Sequence, residues 1–151
     1  MRNMSNRREI RSHGPRRGVA TIELMLILPV LMTMILGAID FGRFAYSYIA
    51  VTNAARAAAG YASMNPYTPT TQPLFEAQLR QAALDELSAV DASSPFDPAK
   101  VTVASTRSFD PGNVLWRVRV DVTYPFETVV PWPGIPDQID LQRSVEMRGI
   151  R

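Results

Sequence analysis

Few side chains in this sequence have the types and spacing that catalysis needs. The chain has no cysteine and a single histidine, His13, and the adjacent Ser93 and Ser94 have no base near them in the sequence. No glycine-rich phosphate-binding loop is present. We therefore predict that the protein is not an enzyme and that it has no metal or other cofactor. The acidic pairs are spaced like surface charges rather than like metal ligands: Asp85 with Glu86, and Asp137 with Asp140.

One acid has an unusual position. Glu23 lies inside the apolar run Val19–Ile39, five residues after Gly18. A carboxylate at the centre of a bilayer costs roughly 2–3 kcal/mol, so this acid needs a partner or a place near the membrane surface. The glycine has no side chain, which would let an enzyme approach the backbone closely. Gly18 could therefore be the place where an enzyme cuts the chain, and in a pilin-like assembly Glu23 could pair with the N-terminal ammonium of a neighbouring subunit.

The apolar run is long enough to cross a membrane. As a helix it would span about 30 Å, which is the thickness of the hydrocarbon layer. Six arginines and one acid, Glu9, precede Gly18, whereas the remainder of the chain has 10 basic residues (16 less those six) and 13 acidic ones (14 less Glu9). This asymmetry predicts a cytoplasmic N-terminus and a head beyond the membrane. Because the excess of basic residues lies before Gly18, the net positive charge of the chain does not predict a nucleic-acid partner.

Three interpretations of the apolar segment stay open at this point. The first is a plain, uncleaved signal anchor. The second is a secretory signal peptide, although Leu36, two residues before Ala38, makes a poor cleavage site after the apolar run. The third is a prepilin-type leader, which is cut on the cytoplasmic side so that the apolar helix stays on the mature protein. Only the third interpretation uses both Gly18 and Glu23.

Several short motifs follow one another in a distinctive order between Arg16 and Ala62. They are Arg17–Glu23, the leucine-rich stretch with Leu28-Pro29-Val30, Gly37–Arg43 and Thr52–Gly60. In this order the segment resembles the TadE/TadG-like family of pseudopilins, which are minor components of tight-adherence (Flp-type) pilus machines. The segment Arg143–Arg148 is similar to the C-terminal strand of that family, but more weakly.

The resemblance implies a processing site at Gly18, Val19 and Glu23, with cleavage after Gly18 by a prepilin peptidase, which would make Val19 the mature N-terminus and Glu23 its fifth residue. It also implies assembly with other pilins or pseudopilins and with an inner-membrane assembly platform. The aromatic residue that follows the acid in major pilins is Leu24 here, a departure that fits a minor subunit. Subunit contacts are expected along this part of the helix, at Glu23, Leu24, Leu28 and Pro29.

The patterns predict an α+β fold made of a long N-terminal helix, an amphipathic helix and a small antiparallel sheet of about three strands. Residues 1–18 would be a basic cytoplasmic leader, 19–41 a transmembrane helix, 42–64 a continuing alanine-rich helix and 65–151 an extracytoplasmic head. Alanine favours helix and lets neighbours approach closely. The alanine-rich helix could therefore pack on its own head or against neighbouring subunits. The three prolines of Asn65–Pro73 end it in a loop.

Within the head, helical spacing predicts an amphipathic helix at Leu74–Val90, started by Thr71 or Pro73. Period-two alternation is clearest in the second of three predicted strands. A turn is predicted at Asp110–Asn113 and a loop at Asp91–Pro98. The predicted strands are Lys100–Arg107, Val114–Tyr124 and Gln138–Arg148.

Two features near the end of the chain are less regular. A break in alternation near Arg143 predicts a bulge in the third strand. The proline-rich segment Pro125–Pro136 is predicted to be a loop, because proline does not fit a regular strand. Its aromatic residues, Phe126 and Trp132, either pack against the sheet edge or form an exposed apolar tip that contacts a partner.

Taken together, these features predict a minor pilin-like subunit with a single pass through the bacterial inner membrane. It would act by helix packing during assembly of an adhesion pilus. The alternative is an uncleaved, membrane-anchored module whose head binds a partner in the cell envelope.

Overall fold

A computed structural model describes residues 16–89, 96–109 and 116–149. His13 with most of the predicted leader, the two serines, most of the loop 91–98 and the turn 110–113 lie outside the described residues. Within them, the predicted α+β class is confirmed, with a long N-terminal helix, a second helix and a three-stranded antiparallel sheet. The chain divides into two compact units between Ala38 and Ile39. The predicted domain boundaries after residues 18, 41 and 64 stay predictions.

The first helix, α1, runs from Arg16 to Met64. It ends there because the next residues are Asn65 and Pro66, and a residue that precedes proline is disfavoured in the helical conformation. Asn65 also completes the helix end, since its backbone N–H and its side-chain amide donate to the Tyr61 carbonyl at 3.1 and 2.8 Å. Such bonds satisfy a carbonyl that the last turn would leave without a partner.

The second half of α1 buries one face in the head. The buried residues recur at intervals of three and four, and each is at most 6% exposed. Arg56 is exposed on another side of the helix. Since this face is covered by the head itself, the interpretation in which the alanine-rich helix packs on its own domain is confirmed. None of the buried residues is larger than valine, which allows close packing: Ser47, Ala50, Val51, Ala54, Ala55, Ala58, Ala59, Ala62 and Ser63.

The second helix, α2, covers Gln72–Ala89. It begins two residues earlier than predicted, because the Thr71 carbonyl already accepts the Phe75 N–H at 3.0 Å. Val90, the predicted last residue, lies outside the described residues. The predicted apolar face is confirmed, since its four described members are buried; the Phe75 ring lies 6.0 Å from that of Tyr61 on α1. The four buried residues are Phe75, Leu79, Ala83 and Leu87.

The sheet has the order β1-β2-β3, and both pairs of strands are antiparallel. The central strand, β2, alternates as predicted, with every second side chain from Trp116 to Phe126 buried. These side chains join the faces of α1 and α2 in one apolar core. The strands cover Thr102–Phe109 (β1), Trp116–Glu127 (β2) and Gln138–Arg148 (β3).

Strand β1 starts two residues later than predicted because Pro98–Lys100 form a short 3-10 helix. The Asp97 carboxylate caps it by accepting the Ala99 N–H at 2.9 Å. Lys100 is bonded at 2.8 Å to Glu127 on β2, and this hydrogen-bonded ion pair raises the pKa of Lys100. Both side chains are well exposed, so the pair adds little to stability.

The predicted bulge near Arg143 is wrong. The pairing of β2 with β3 runs without interruption from Arg117 opposite Arg148 to Glu127 opposite Gln138. The break in alternation arises because Arg143 occupies an inward-facing position of the strand, where its guanidinium lies 4.0 Å from the centre of the Tyr48 ring on α1. A cation over an aromatic face is attracted to it, so a charged residue can take a place that the pattern reserves for apolar ones.

The prediction that the loop begins at Pro125 is also wrong, because β2 continues through Pro125 to Glu127. The last pair between β1 and β2 is Thr102 with Thr123. Beyond it β2 has a neighbouring strand on one side only, which is where a proline without an N–H can be accommodated. Phe126 is consequently a buried strand residue, and its ring meets that of Phe44 on α1 edge-on at 5.6 Å.

Candidate functional site: the exposed apolar helix and the Asp40 cluster

The apolar run of α1 is exposed along its whole length. Its large apolar side chains, from Val19 to Ile39, are between 38% exposed at Leu36 and 71% exposed at Leu26. The helix is long and apolar enough to cross a membrane, and none of its most apolar window is buried. A continuous apolar surface of this size is unusual on a protein in water. The segment therefore fits a single-pass membrane anchor.

The residues of the predicted processing site lie in the first turns of this helix. Gly18 and Glu23 are exposed, as is Val19 at 59%. A Cβ added at Gly18 would have no atom within 4 Å, so the fold itself does not require glycine there. Processing at this position stays a prediction.

The predicted subunit contacts do not share one face of the helix. Leu24 and Leu28 are one turn apart and lie on the same side, 58% and 47% exposed. At about 100° per residue, Glu23 and Pro29 lie on two other sides. The Thr33 hydroxyl donates to the Pro29 carbonyl at 2.8 Å, a local bond within the helix. The roles of these residues in subunit contact stay predictions.

A buried carboxylate comes directly after the apolar run. Asp40 is 6% exposed, and three of its hydrogen-bond donors belong to one loop of the head. Its Oδ1 accepts the Val129 N–H at 3.0 Å, and its Oδ2 accepts the Val130 N–H at 3.3 Å and the Trp132 Nε1–H at 3.0 Å. Arg43 donates to Oδ1 at 3.1 Å from one turn further along α1. We call these five residues the Asp40 cluster.

The cluster satisfies a charge that would otherwise be costly to bury. Both carboxylate oxygens have donors, and N–H groups that bond to an ionised acceptor form stronger bonds than those to a neutral one. Arg43 supplies the opposite charge, and its guanidinium also lies 5.4 Å from the centre of the Phe126 ring. These hydrogen bonds hold a loop of the head at one position on α1.

The loop held by Asp40 has a defined shape. The Thr128 N–H donates to the Asp137 carbonyl at 3.0 Å, which closes the loop at its base. At its tip the Ile135 N–H donates to the Trp132 carbonyl at 3.1 Å, and Gly134 between them has a φ of 82°. Proline followed by glycine at these positions is typical of a type II turn. We call residues 128–137 the clasped loop.

The sequence did not reveal the Asp40 cluster. Asp40 and Trp132 are 92 positions apart in the sequence. An aspartate followed three residues later by an arginine is typical of a local ion pair on a helix surface. Packing of Trp132 against the sheet edge is wrong, since Trp132 is half-buried and its Nε1–H is bonded to Asp40 on α1; contact of this loop with a partner stays a prediction. The available signal was an acid placed where the apolar run ends. In the described parts of the chain, no group of three or more His, Cys, Asp or Glu side chains is placed to hold a metal ion.

Comparison with known proteins bears on the helix alone. No curated protein and no solved structure matches the chain. The model of one protein family does match, over residues 18–60, which lie entirely within α1 and include both Glu23 and Asp40. That family is described as TadE-like protein, so the resemblance predicted from the sequence is confirmed for residues 18–60.

Proposed function

We propose that the chain is a minor pilin-like subunit of a tight-adherence pilus, anchored by α1 in the bacterial inner membrane. One observation supports the proposal above all: the residues that match the TadE-like family include the stretch of α1 whose apolar side chains are exposed. An enzyme site is not needed for this role, because the protein would act through contacts between helices.

The proposed mechanism assigns separate tasks to the two ends of α1. The residues after Asp40 hold the head, since their small side chains are buried in its core. The exposed part from Val19 to Ile39 is free to pack in the membrane against the helices of other subunits. There van der Waals packing and polar pairs, rather than the hydrophobic effect, drive association.

Glu23 would set the register of that packing. Its carboxylate is exposed among apolar side chains, where an ionised group is costly unless it is paired. Cleavage after Gly18 would create an ammonium on Val19, and that group on one subunit could pair with Glu23 on the next. The basic leader places this end of the helix in the cytoplasm by the positive-inside rule, with the head on the other side. Processing would be done by a prepilin peptidase and assembly by an inner-membrane platform.

The experiment that tests processing is substitution of Gly18 by phenylalanine in the native membrane. The position has open space, so the variant should fold and insert normally. We expect the intact mass of the unmodified chain to lack the first 18 residues and that of Gly18→Phe to retain them. Gly42→Phe is the matched control, since Gly42 is an exposed glycine of the same helix with equally open surroundings. It should be processed normally. Full-length mass for the unmodified chain would contradict cleavage and favour the uncleaved, membrane-anchored binding module.

Assembly is tested separately through Glu23. We expect Glu23→Ala to be inserted but to be lost from complexes isolated after cross-linking in the membrane, and the intact mass of the variant reports its processing separately. Met25→Ala removes another exposed side chain, 68% exposed, without a change of charge, and should assemble normally. Normal assembly of Glu23→Ala would contradict the pairing mechanism.

A further inference from the structure

The clasped loop presents apolar side chains that the head does not bury. Val129 is 63% exposed and Ile135 is 50% exposed. On the helix beside Asp40, Ile39 and Phe41 are 51% and 72% exposed. From Thr128 to Pro136 the loop has no charged residue. Exposed apolar side chains on a loop that is bonded to the end of an apolar helix are consistent with a surface that meets a partner.

We propose that the clasped loop is a membrane-contact element, which inserts Val129 and Ile135 into the headgroup region of the bilayer that α1 enters. The proposal depends on the membrane anchoring within the proposed function, but not on processing or pilus assembly.

The position of the loop along α1 carries this inference. Asp40 follows Ile39, the last residue of the apolar run, and one residue advances a helix by about 1.5 Å. The loop is bonded directly to the Asp40 carboxylate at 3.0–3.3 Å. It therefore lies at the depth where the apolar part of the helix ends, which in an anchored protein is the boundary between hydrocarbon and headgroups.

The chemistry of the loop suits that boundary. Tryptophan is enriched at membrane interfaces, because its ring is apolar and its N–H is polar. Arg43 is 39% exposed beside the loop and could pair with lipid phosphate. The loop is also ordered in advance by its turn, its closed base and Asp40, so contact with lipid would cost little conformational entropy.

The absence of cysteine from the sequence makes a direct test possible. The full chain is made with one cysteine at Val129→Cys, labelled with a polarity-sensitive fluorophore and reconstituted in phosphatidylcholine vesicles that carry a headgroup-level nitroxide quencher. Leu74→Cys is the matched control, because Leu74 is 62% exposed but belongs to the start of α2, where the neighbouring Phe75 ring lies 6.0 Å from that of Tyr61 near the far end of α1. From Asp40 to Met64 the helix is about 36 Å long.

We expect the label at position 129 to be blue-shifted and quenched by the lipid nitroxide, at every protein-to-lipid ratio, and the label at position 74 to be neither. Adding Asp40→Ala to Val129→Cys should release the loop and reduce the lipid quenching. If the vesicles float with the protein and the label at 129 responds only to aqueous iodide, the inference is overturned.

Two other results have different meanings. Protection of position 129 from iodide only at high protein density, without lipid quenching, would overturn the inference in favour of a second copy of the chain. Failure of the protein to float with the vesicles would overturn the membrane anchoring itself, and with it this inference and the proposed function together.

Discussion

Replacing Asp40 by alanine should destabilise the head. The substitution removes the acceptor of three N–H groups, on Val129, Val130 and Trp132, and the partner of Arg43. A hydrogen bond to a charged group contributes about 1.5–3 kcal/mol. The contribution here falls below that range, to about 1 kcal/mol for each bond, because the loop is partly exposed and water can replace some of the lost bonds.

The magnitude follows from these contributions. Three bonds at about 1 kcal/mol each, after a discount for hydration, give about 3 kcal/mol. Alanine returns about 0.5 kcal/mol, because it favours helix more than aspartate does. The net loss is about 2.5 kcal/mol, and for a unit the size of residues 39–151 this lowers the melting temperature by about 10 °C.

The assay is thermal unfolding of the full chain in detergent micelles, followed by circular dichroism. Asp40→Asn keeps one acceptor oxygen and should lose about half as much stability. Asp140→Ala removes an exposed acid from β3 and should change the melting temperature by no more than about 2 °C, as a surface substitution does. If Asp40→Ala melts as close to the unmodified chain as Asp140→Ala does, the bonds seen at Asp40 do not hold the loop, and the argument from them fails.

Three further substitutions test the packing of the head by the same melting assay. Gly149→Ala should cost about 1–3 kcal/mol, because a Cβ at that position would overlap the ring of Trp116; unchanged melting would show that the ring can move aside. Arg143→Ala should cost about 0.5–2 kcal/mol through loss of its contact with Tyr48, and equal stability would show that this contact contributes nothing. Ala58→Leu should cost about 1–3 kcal/mol, because Ala58 is fully buried, whereas a neutral result would indicate a cavity beside it.

The elements that depend on local periodicity could be predicted from the sequence. Strand β2 alternates because one of its faces is buried, and the apolar spacing of α2 has the same cause. Strand β3 was predicted with its observed bounds, Gln138–Arg148. In each case the signal lies within the element, so a single sequence contains it.

The features that could not be predicted depend on a second element. Arg143 points inward because Tyr48 on α1 offers it an aromatic face, and no pattern within β3 shows that. Pro125 fits into β2 because β1 ends before it. The Asp40 cluster joins α1 to a loop some 90 positions away in the sequence. Neither helix nor strand periodicity carries information about such pairs.

The two acids of α1 within residues 18–60 differ in where their partners can come from. Asp40 is buried, and its own chain supplies four donors to it. Glu23 is exposed among apolar side chains that the described chain leaves uncovered. Intramolecular stability should therefore depend on Asp40, and contact with other subunits on Glu23.

This division can be tested by measuring both properties on both variants. Glu23→Ala should have the same melting temperature as the unmodified chain, since no packing of the head is removed, but it should fail to assemble in the membrane. Asp40→Ala should melt about 10 °C lower, and at temperatures where its head is still folded it should assemble. A Glu23→Ala head that melts early would mean that Glu23 stabilises its own chain. An Asp40→Ala chain that is folded but does not assemble would mean that subunits also meet through the Asp40 cluster.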